Sequence, residues 1–274
     1  MVAHDDVVWI GGPSGVGKST IARLLARRHG LRWYSGDTMT WDHRDRALRA
    51  NDPDALRFER LSPDQRAALP RPERKLLDLI PQRRRMVLDD LAHLPPAPLV
   101  VAESTLLEPS MINPRQAVWL TATTAELVTQ TDRRGWGIRS LVDAETRRDE
   151  HQQLTAATAL PVISQDGRGL AEILDDVSEL FTDLLARGPV AHSRRERQQL
   201  IRAGNLAIVH QYRAGLTRFG RVSELTRVVR TFDCECADPA CQALLDIAIG
   251  LAPANADDPP LLSADHVRGE AAGL

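Results

Sequence analysis

Eight residues near the start of the chain have the types and spacing of a phosphate-binding loop. Residues 12–19 read Gly-Pro-Ser-Gly-Val-Gly-Lys-Ser and match the pattern G-x-x-x-x-G-K-[ST]. Glycines allow consecutive backbone N–H groups to turn inward around phosphate oxygens, because no Cβ lies in the way. Lys18 can reach the β- and γ-phosphates, and the Ser19 hydroxyl can ligate magnesium. These residues predict that the chain binds ATP or GTP with magnesium.

The segments on both sides of this loop can position it. Residues 7–10 form an apolar run with β-branched residues, which predicts a strand, and residues 20–28 carry apolar residues at helical spacing. A helix that begins at the loop adds its positive N-terminal dipole to the phosphate site. The alternative is a glycine-rich turn that only starts a helix. The predicted nucleotide-binding residues of the loop are Gly12, Ser14, Gly15, Val16, Gly17, Lys18, Ser19 and Thr20.

The composition is that of a soluble globular protein. The chain has 274 residues, a net charge of −2 and 43% hydrophobic residues, which suits a domain of common size plus a smaller one. No apolar run approaches the roughly 20 residues of a membrane-spanning helix, and the acidic start is unlike a signal peptide. We therefore expect a cytoplasmic protein with no membrane partner.

Two acidic residues stand at the ends of further predicted strands. Residues 31–35 and 98–102 read as strands, and Asp37 and Glu103 follow them. Ligands of open α/β sheets bind at the carboxyl ends of parallel strands. For Asp37 the alternative is a cap of the next helix, because aspartate is favoured at helix N-termini. The positions of both residues predict that they lie near the phosphate loop.

On the loop and its flanking segments, the chain resembles the adenylate-kinase-like group of P-loop kinases, which includes shikimate, gluconate and cytidylate kinases. The resemblance extends to about residue 187. It implies an α/β fold, namely the three-layer P-loop NTPase fold with a five-stranded parallel sheet. Residues 117–121 and 160–164 are the remaining strand candidates. A small, mostly helical C-terminal domain is expected to follow this kinase-like domain of residues 1–187.

The resemblance also implies roles for the two acidic residues. Kinases of this group place an acidic residue after the second strand, so Asp37 is the candidate general base or orienter of the acceptor hydroxyl. Glu103 stands where P-loop enzymes carry a second magnesium-holding residue, which is more commonly aspartate. It could position water on magnesium, bind the acceptor, or cap residues 104–105.

The interval of residues 38–97 corresponds to the region that holds the acceptor in the resembled kinases. It is rich in arginine and proline, and its clearest helical stretch is residues 73–94. Bidentate arginines can grip a phosphate or carboxylate, and we name Arg44 and Arg84 as candidate substrate contacts. A solvated helix face is the alternative reading of these arginines.

Residues 132–142 contain arginines flanked by two glycines. In the resembled kinases this position holds a lid that closes over the triphosphate and stabilises the transferring phosphoryl group. The resemblance implies that Arg133 and Arg134 bind the nucleotide. Arg134 then joins Lys18 and Asp37 as a catalytic candidate. The alternative is an ordinary connection between two helices.

Residues 188–274 are predicted to form a basic helical module. Gly-Pro at residues 188–189 marks its boundary, and residues 190–232 contain nine arginines against two glutamates. Ile201, Ile208, Tyr212 and Phe219 recur on one helical face. The slightly negative overall charge and the lack of interleaved aromatic residues argue against nucleic acid as a partner.

All three cysteines of the chain fall within eight residues, at Cys234, Cys236 and Cys241. In a cytosolic chain such clustering favours a metal over a disulfide, and thiolates are strong zinc ligands. A fourth donor is needed, for which His266 is the first candidate and His210 the second. The cluster predicts a structural zinc site, with unliganded cysteines or a redox site as alternatives.

Two functions are consistent with these features. The first is an ATP-dependent small-molecule kinase that transfers the γ-phosphate to a hydroxylated metabolite, a nucleotide or an antibiotic-like acceptor. The second is a nucleotide-binding regulatory or assembly protein whose C-terminal module contacts a partner. The arginine-rich acceptor and lid regions favour the kinase. The acceptor, the choice between ATP and GTP, and the oligomeric state stay open at this point.

Overall fold

A computed structural model describes residues 7–123, 125–127, 149, 152–153, 155–156 and 158–266. Its centre is a five-stranded sheet with the order β2-β3-β1-β4-β5, in which all neighbouring strands are parallel. The strands are β1 (Val7–Gly11), β2 (Arg32–Ser35), β3 (Val100–Glu103), β4 (Ala117–Thr121) and β5 (Val162–Ser164). The predicted five-stranded parallel sheet is therefore confirmed.

Helices cover both faces of this sheet. They are α1 (Lys18–His29), α2 (Thr40–Arg49), α3 (Pro53–Arg60), α4 (Pro63–Ala68), α5 (Arg71–Leu77), α6 (Ile80–His93), α7 (Leu170–Leu180), α8 (Thr182–Arg187) and α9 (Arg194–Arg218). Alternate residues of a strand point to opposite faces. Val8 and Ile10 of β1 accordingly pack with residues of α1 and α7, whereas Val7 and Trp9 pack with residues of α6.

The register of the central strands brings their carboxyl ends together. Ile10 of β1 and Ser35 of β2 are both paired with Glu103 of β3. The chain leaves β1 into the glycine-rich loop and leaves β2 into the turn that carries Asp37. The segments that the sequence singled out thus meet at one edge of the sheet.

The predicted helical stretch of residues 73–94 is divided into α5 and α6, which is a correction. Pro81 has no N–H to donate to the carbonyl of Leu77, so an α-helix cannot continue through this point. Arg44 Nη2 donates to that carbonyl instead, at 2.7 Å. Leu79, between the two helices, has a left-handed backbone with φ of 55°. The proline therefore separates the two helices.

The C-terminal part of the chain is only partly helical, which corrects the expectation of a mostly helical segment. After α9, the strands β6 (Val229–Asp233) and β7 (Leu244–Ala248) form an antiparallel pair. Residues 229–233 include Val229, Thr231 and Phe232, which are β-branched or aromatic residues of the kind enriched in strands. This composition is a weaker signal than the helical pattern of α9, and so the two strands were not predicted from the sequence.

Helix α9 lies against the sheet domain along much of its length. A Cβ at Gly204 would be 3.0 Å from the ring of Trp33 on β2, and one at Gly215 would be 2.6 Å from Nε1 of Trp41 on α2. These two glycines therefore allow the close approach of the helix. In the described part of the chain, no helix combines the length and apolar character needed to cross a membrane.

Candidate functional site

The loop between β1 and α1 depends on glycines with positive φ. These angles are 137° at Gly12, 88° at Gly15 and 83° at Gly17, a range in which residues with a Cβ are strained. A Cβ at Gly12 would also lie 2.4 Å from the carbonyl oxygen of Leu120. The first turn of α1 contains no acidic residue and has no side-chain cap. Its positive end is therefore suited to an anion.

Ser19 and Glu103 form a polar contact beneath this loop. The Ser19 hydroxyl donates to Oε1 of Glu103 at 3.1 Å. Glu103 is only 1% exposed, and its Oε2 has no hydrogen-bond partner among the described residues. Burial and the charge of Asp37 raise the pKa of Glu103 to about 7, although the charge of Lys18 opposes this. A hydroxyl and a carboxylate at this spacing offer the oxygen ligands that magnesium prefers.

Lys18 is buried at the start of α1. Its Nζ donates to the carbonyl oxygen of Pro13 at 3.0 Å, so the side chain folds back over the loop to which it belongs. A buried ammonium group raises the affinity of the loop for a negatively charged ligand, because water screens it poorly. The structure therefore brings Lys18, Ser19 and Glu103 into one location.

Asp37 joins the ends of β2 and β3. Its Oδ1 accepts hydrogen bonds from Thr105 Oγ1 at 2.9 Å, from Thr105 N at 3.3 Å and from Ser104 Oγ at 3.4 Å. The residue that caps α2 is Met39, so Asp37 is not the helix cap that was the alternative reading. Among the described residues, the carboxylate that accepts hydrogen bonds from residues 104–105 is that of Asp37, whereas the Glu103 carboxylate accepts from Ser19. Asp37 consequently lies at the same sheet edge as Glu103.

Arg83 belongs to the run of arginines at residues 83–85 that the sequence indicated as a possible grip for a phosphate or carboxylate, although only Arg84 of that run was named as a substrate contact. Its Nη2 donates to Gly36 O at 3.2 Å and to Thr40 Oγ1 at 2.7 Å. The residue is 8% exposed, and burial lowers the pKa of Arg83 although the charge of Asp37 opposes this. The buried residues of α6 are Arg83, Val87 and Leu91. Their spacing of four is a helical signal that could have identified Arg83 as facing inward.

The two arginines predicted to bind substrate are engaged within the protein. Arg44 is 4% exposed, and its guanidinium carbon lies 3.6 Å from the ring centroid of Phe58. Burial lowers the pKa of Arg44 to about 10. Arg84 donates from Nε to Leu106 O at 2.6 Å and forms an ion pair with Glu108. Substrate binding by Arg44 and Arg84 stays a prediction.

The predicted lid, residues 132–142 with Arg133 and Arg134, lies outside the described residues. The roles of both arginines stay predictions. Among the described residues, the segment after β5 lies beside the loop. A Cβ at Gly17 would be 3.2 Å from Oε1 of Gln165, and Gln165 N donates to Thr121 O at 2.9 Å.

A buried polar network lies behind the Asp37 turn. Asp90 of α6 accepts hydrogen bonds of 2.7 Å from Tyr34 OH and from His43 Nε2, and it also accepts from Arg46. Burial raises the pKa of Asp90, but these three bonds outweigh that effect and leave the pKa below its ordinary value. The network connects β2, α2 and α6, and so it stabilises the packing of these three elements.

A second candidate site contains the three cysteines. The ligand atoms of Cys234, Cys236, Cys241 and His266 all lie within 4.8 Å of one another. His266 Nδ1 is 3.1 Å from Sγ of Cys234 and 3.9 Å from Sγ of Cys241. This confirms the predicted association of the cysteines with His266, while His210 is exposed on α9. The four side chains could hold a metal ion.

Comparison with known proteins adds a weak structural similarity. No protein-family model matches the chain, and no curated protein matches it. Among solved structures, the crystal structure of TT1252 from Thermus thermophilus is similar at 18% sequence identity and a TM-score of 0.43. That alignment covers 65% of this chain and 97% of TT1252.

Proposed function

We propose that this protein is an ATP-dependent phosphotransferase with the three-layer P-loop NTPase fold. It transfers the γ-phosphate of magnesium-bound ATP to a small hydroxylated acceptor, which is a metabolite, a nucleotide or an antibiotic-like compound. The observation that carries the proposal is the 3.1 Å contact between Ser19 of the loop and the buried carboxylate of Glu103.

The described residues fit magnesium and a triphosphate. Gly12 and Gly17 shape a loop in which a Cβ would be strained, and Glu103 keeps a buried oxygen without a hydrogen-bond partner in the described part of the chain. Ser19 and Glu103 would hold the magnesium, directly or through water, and Lys18 would contact the phosphates. When bound, magnesium neutralises charge on the phosphate oxygens. The loop then holds the donor in one orientation.

Asp37 is the residue that we assign to the acceptor. Its Oδ1 accepts bonds from Ser104 and Thr105, which fix the direction of the carboxylate. Its other oxygen, Oδ2, would orient the acceptor hydroxyl and take its proton as phosphate is transferred. Arg83 stiffens the same turn through its bond to Gly36 O. Most of the rate acceleration would come from positioning and from electrostatic stabilisation of the transferring group.

The experiment is a turnover assay with a panel of hydroxylated compounds, in which ADP release and a mass gain of one phosphate are both measured. We expect acceptor-dependent turnover. Asp37→Asn should lower it by about 10²- to 10⁴-fold, the usual contribution of a general base, and leave ATP affinity nearly unchanged. Asp42→Asn is the matched control, because the Asp42 carboxylate is half exposed on α2.

Two results would contradict the kinase proposal. Normal transfer by Asp37→Asn would show that its assigned role is wrong. Slow ATP turnover that responds to a protein partner, and to no acceptor in the panel, would instead support a nucleotide-binding regulator.

For the second site we propose structural zinc. Three thiolates and one imidazole are a common tetrahedral ligand set for zinc, and four protein ligands leave no open position for catalysis. Protein purified without chelator should contain about one equivalent of zinc by elemental analysis. A content below roughly a tenth of an equivalent would exclude the proposal, since such sites bind zinc tightly.

A further inference from the structure

We propose that metal loading of the Cys-His site controls nucleotide affinity through helix α1. The metal centre is defined as Cys234, Cys236, Cys241 and His266. Helix α1 begins with Lys18 and Ser19, and its later turns contact the chain segment that supplies the cysteines. This inference rests on the proposed nucleotide binding and on the proposed metal.

The first connection is Arg27, in the last turn of α1. Its side chain is buried, with 5% of the residue exposed. Arg27 Nη1 donates to Asp238 O at 3.3 Å and lies 3.7 Å from Sγ of Cys236. Arg27 Nη2 donates to the carbonyl oxygen of Cys234. One guanidinium therefore contacts three residues of the cysteine segment, two of which are metal ligands.

The second connection is Arg23, one helical turn earlier on the same face. Arg23 Nη1 donates to Thr231 O at 3.0 Å. Its Nε lies 3.5 Å from Oδ2 of Asp233, and both side chains are buried. Asp233 immediately precedes the first metal ligand, Cys234. Two successive turns of α1 are thus tied to the same short segment.

On its other side the cysteine segment is held by α9. Glu235, between two of the ligands, is completely buried. It accepts from Arg202 Nε at 2.8 Å and from Asn205 Nδ2 at 2.8 Å, and Gln198 Nε2 donates to its carbonyl oxygen at 3.0 Å. The segment therefore lies between α9 and α1, so a change in its conformation is transmitted to one of these helices.

Metal coordination decides whether this segment is ordered. His266 is far from the cysteines in sequence, and a metal would join the four ligands far more strongly than the contacts between their side chains do. Without the metal, movement of residues 234–238 would remove the acceptors of Arg27. The guanidinium charge of Arg27 would then be buried without partners, which raises the free energy of the folded protein. A shift of α1 relieves that cost, and it moves Lys18 and Ser19.

The test compares the full-length protein in its zinc-loaded and chelator-stripped forms. Hydrogen exchange is measured for residues 18–29, and the affinity for a non-hydrolysable ATP analogue is measured in excess magnesium. Stripping should reduce the protection of α1 while β1 and β4 stay protected. It should also weaken nucleotide binding by about five- to fiftyfold, within the usual range of coupling between sites.

A pair of neighbouring arginines supplies the variant and its control. Arg27→Met keeps the apolar stem and all four metal ligands but removes the bonds to the cysteine segment. It should still bind zinc, and removal of the zinc should alter α1 exchange and nucleotide affinity much less than in the unmodified protein, because only the Arg23 connection remains. Arg28→Met loses a bond of 2.5 Å to Asp175 on α7 and should respond to zinc as the unmodified protein does.

Three outcomes would overturn the inference. The first is equal α1 exchange and equal nucleotide affinity in both forms. The second is loss of protection in β1 and β4 as well, because the metal would then support the whole fold. The third is an Arg27→Met protein that still responds fully to zinc. If the zinc-loaded protein binds no nucleotide, the proposed function is wrong. Zinc-dependent protection of α1 from hydrogen exchange would then still show that the metal centre is coupled to helix α1.

Discussion

The Ser19 hydroxyl donates to the Glu103 carboxylate at 3.1 Å, although the two residues are separated by 84 positions. Helix α1 supplies the hydroxyl, and the end of β3 supplies the carboxylate. The parallel register of β1 and β3 makes the contact possible, because it pairs Ile10 with Glu103.

Replacement of Lys18 by alanine should weaken the binding of a magnesium-bound ATP analogue by roughly 30- to 100-fold. This corresponds to losing about 2–3 kcal/mol from a charge-assisted contact with phosphate. Titration calorimetry measures the affinity. Lys75→Ala is the control, since Lys75 is the other lysine of the chain and is exposed on α5. Equal affinities of the two variants would show that Lys18 does not contact the nucleotide.

Gly12→Ala should lower the free energy of unfolding by about 1–3 kcal/mol, the usual cost of a strained backbone. The added Cβ would be 2.4 Å from Leu120 O, in a residue with φ of 137°. Urea denaturation measures the change. Gly169→Ala should cost less, because Gly169 has φ of −74° and, apart from its chain neighbours, no atom of the described residues lies within 4 Å of the added Cβ. A neutral Gly12→Ala would contradict the loop geometry.

Asp90→Asn should lower the free energy of unfolding by roughly 2 kcal/mol at pH 7, because hydrogen bonds to a charged acceptor are lost. The pKa of Asp90 is below its ordinary value of 3.8 in the folded protein. The stabilisation is therefore complete above that value and is lost as the pH falls through the lower pKa of the folded state.

The difference between Asp90→Asn and the unmodified protein should accordingly shrink as the pH falls below about 4. Denaturant titrations at several pH values measure this. The control is Asp89→Asn, since Asp89 is the exposed neighbour on the same helix. A difference that stays constant down to pH 2, or an equal loss in the control, would show that the Asp90 charge is not the cause.

His266→Ala should weaken zinc binding by at least about 10- to 100-fold, because loss of a residue that only supports a ligand already costs that much. Competition with a chromophoric chelator measures the affinity. His210→Ala should bind zinc normally, since His210 is exposed on α9 and is not among the four clustered ligands. Equal affinities of the two variants would exclude His266 as a ligand.

The elements that could be predicted from the sequence are those with a strong local pattern. The apolar run of residues 117–121 predicted β4 with its observed bounds, and residues 20–28, whose spacing predicted a helix, lie within α1. The pair β6 and β7 was missed, because the helical pattern of α9 and the cysteine spacing are the stronger signals in this part of the sequence. The break at Leu79 was missed because residues 73–94 as a whole have a helical composition.

The sequence by itself determined the candidate phosphate loop and the grouping of the cysteines, because both are contiguous and their chemistry follows from local spacing. Only the tertiary structure decided which other residues these groups contact. It placed Glu103 beside Ser19, joined Asp37 to Thr105 and brought His266 to the cysteines. It also directed Arg83 toward the Asp37 turn. Such choices depend on strand register and on which helix face is buried, and both are set by contacts between residues far apart in the chain.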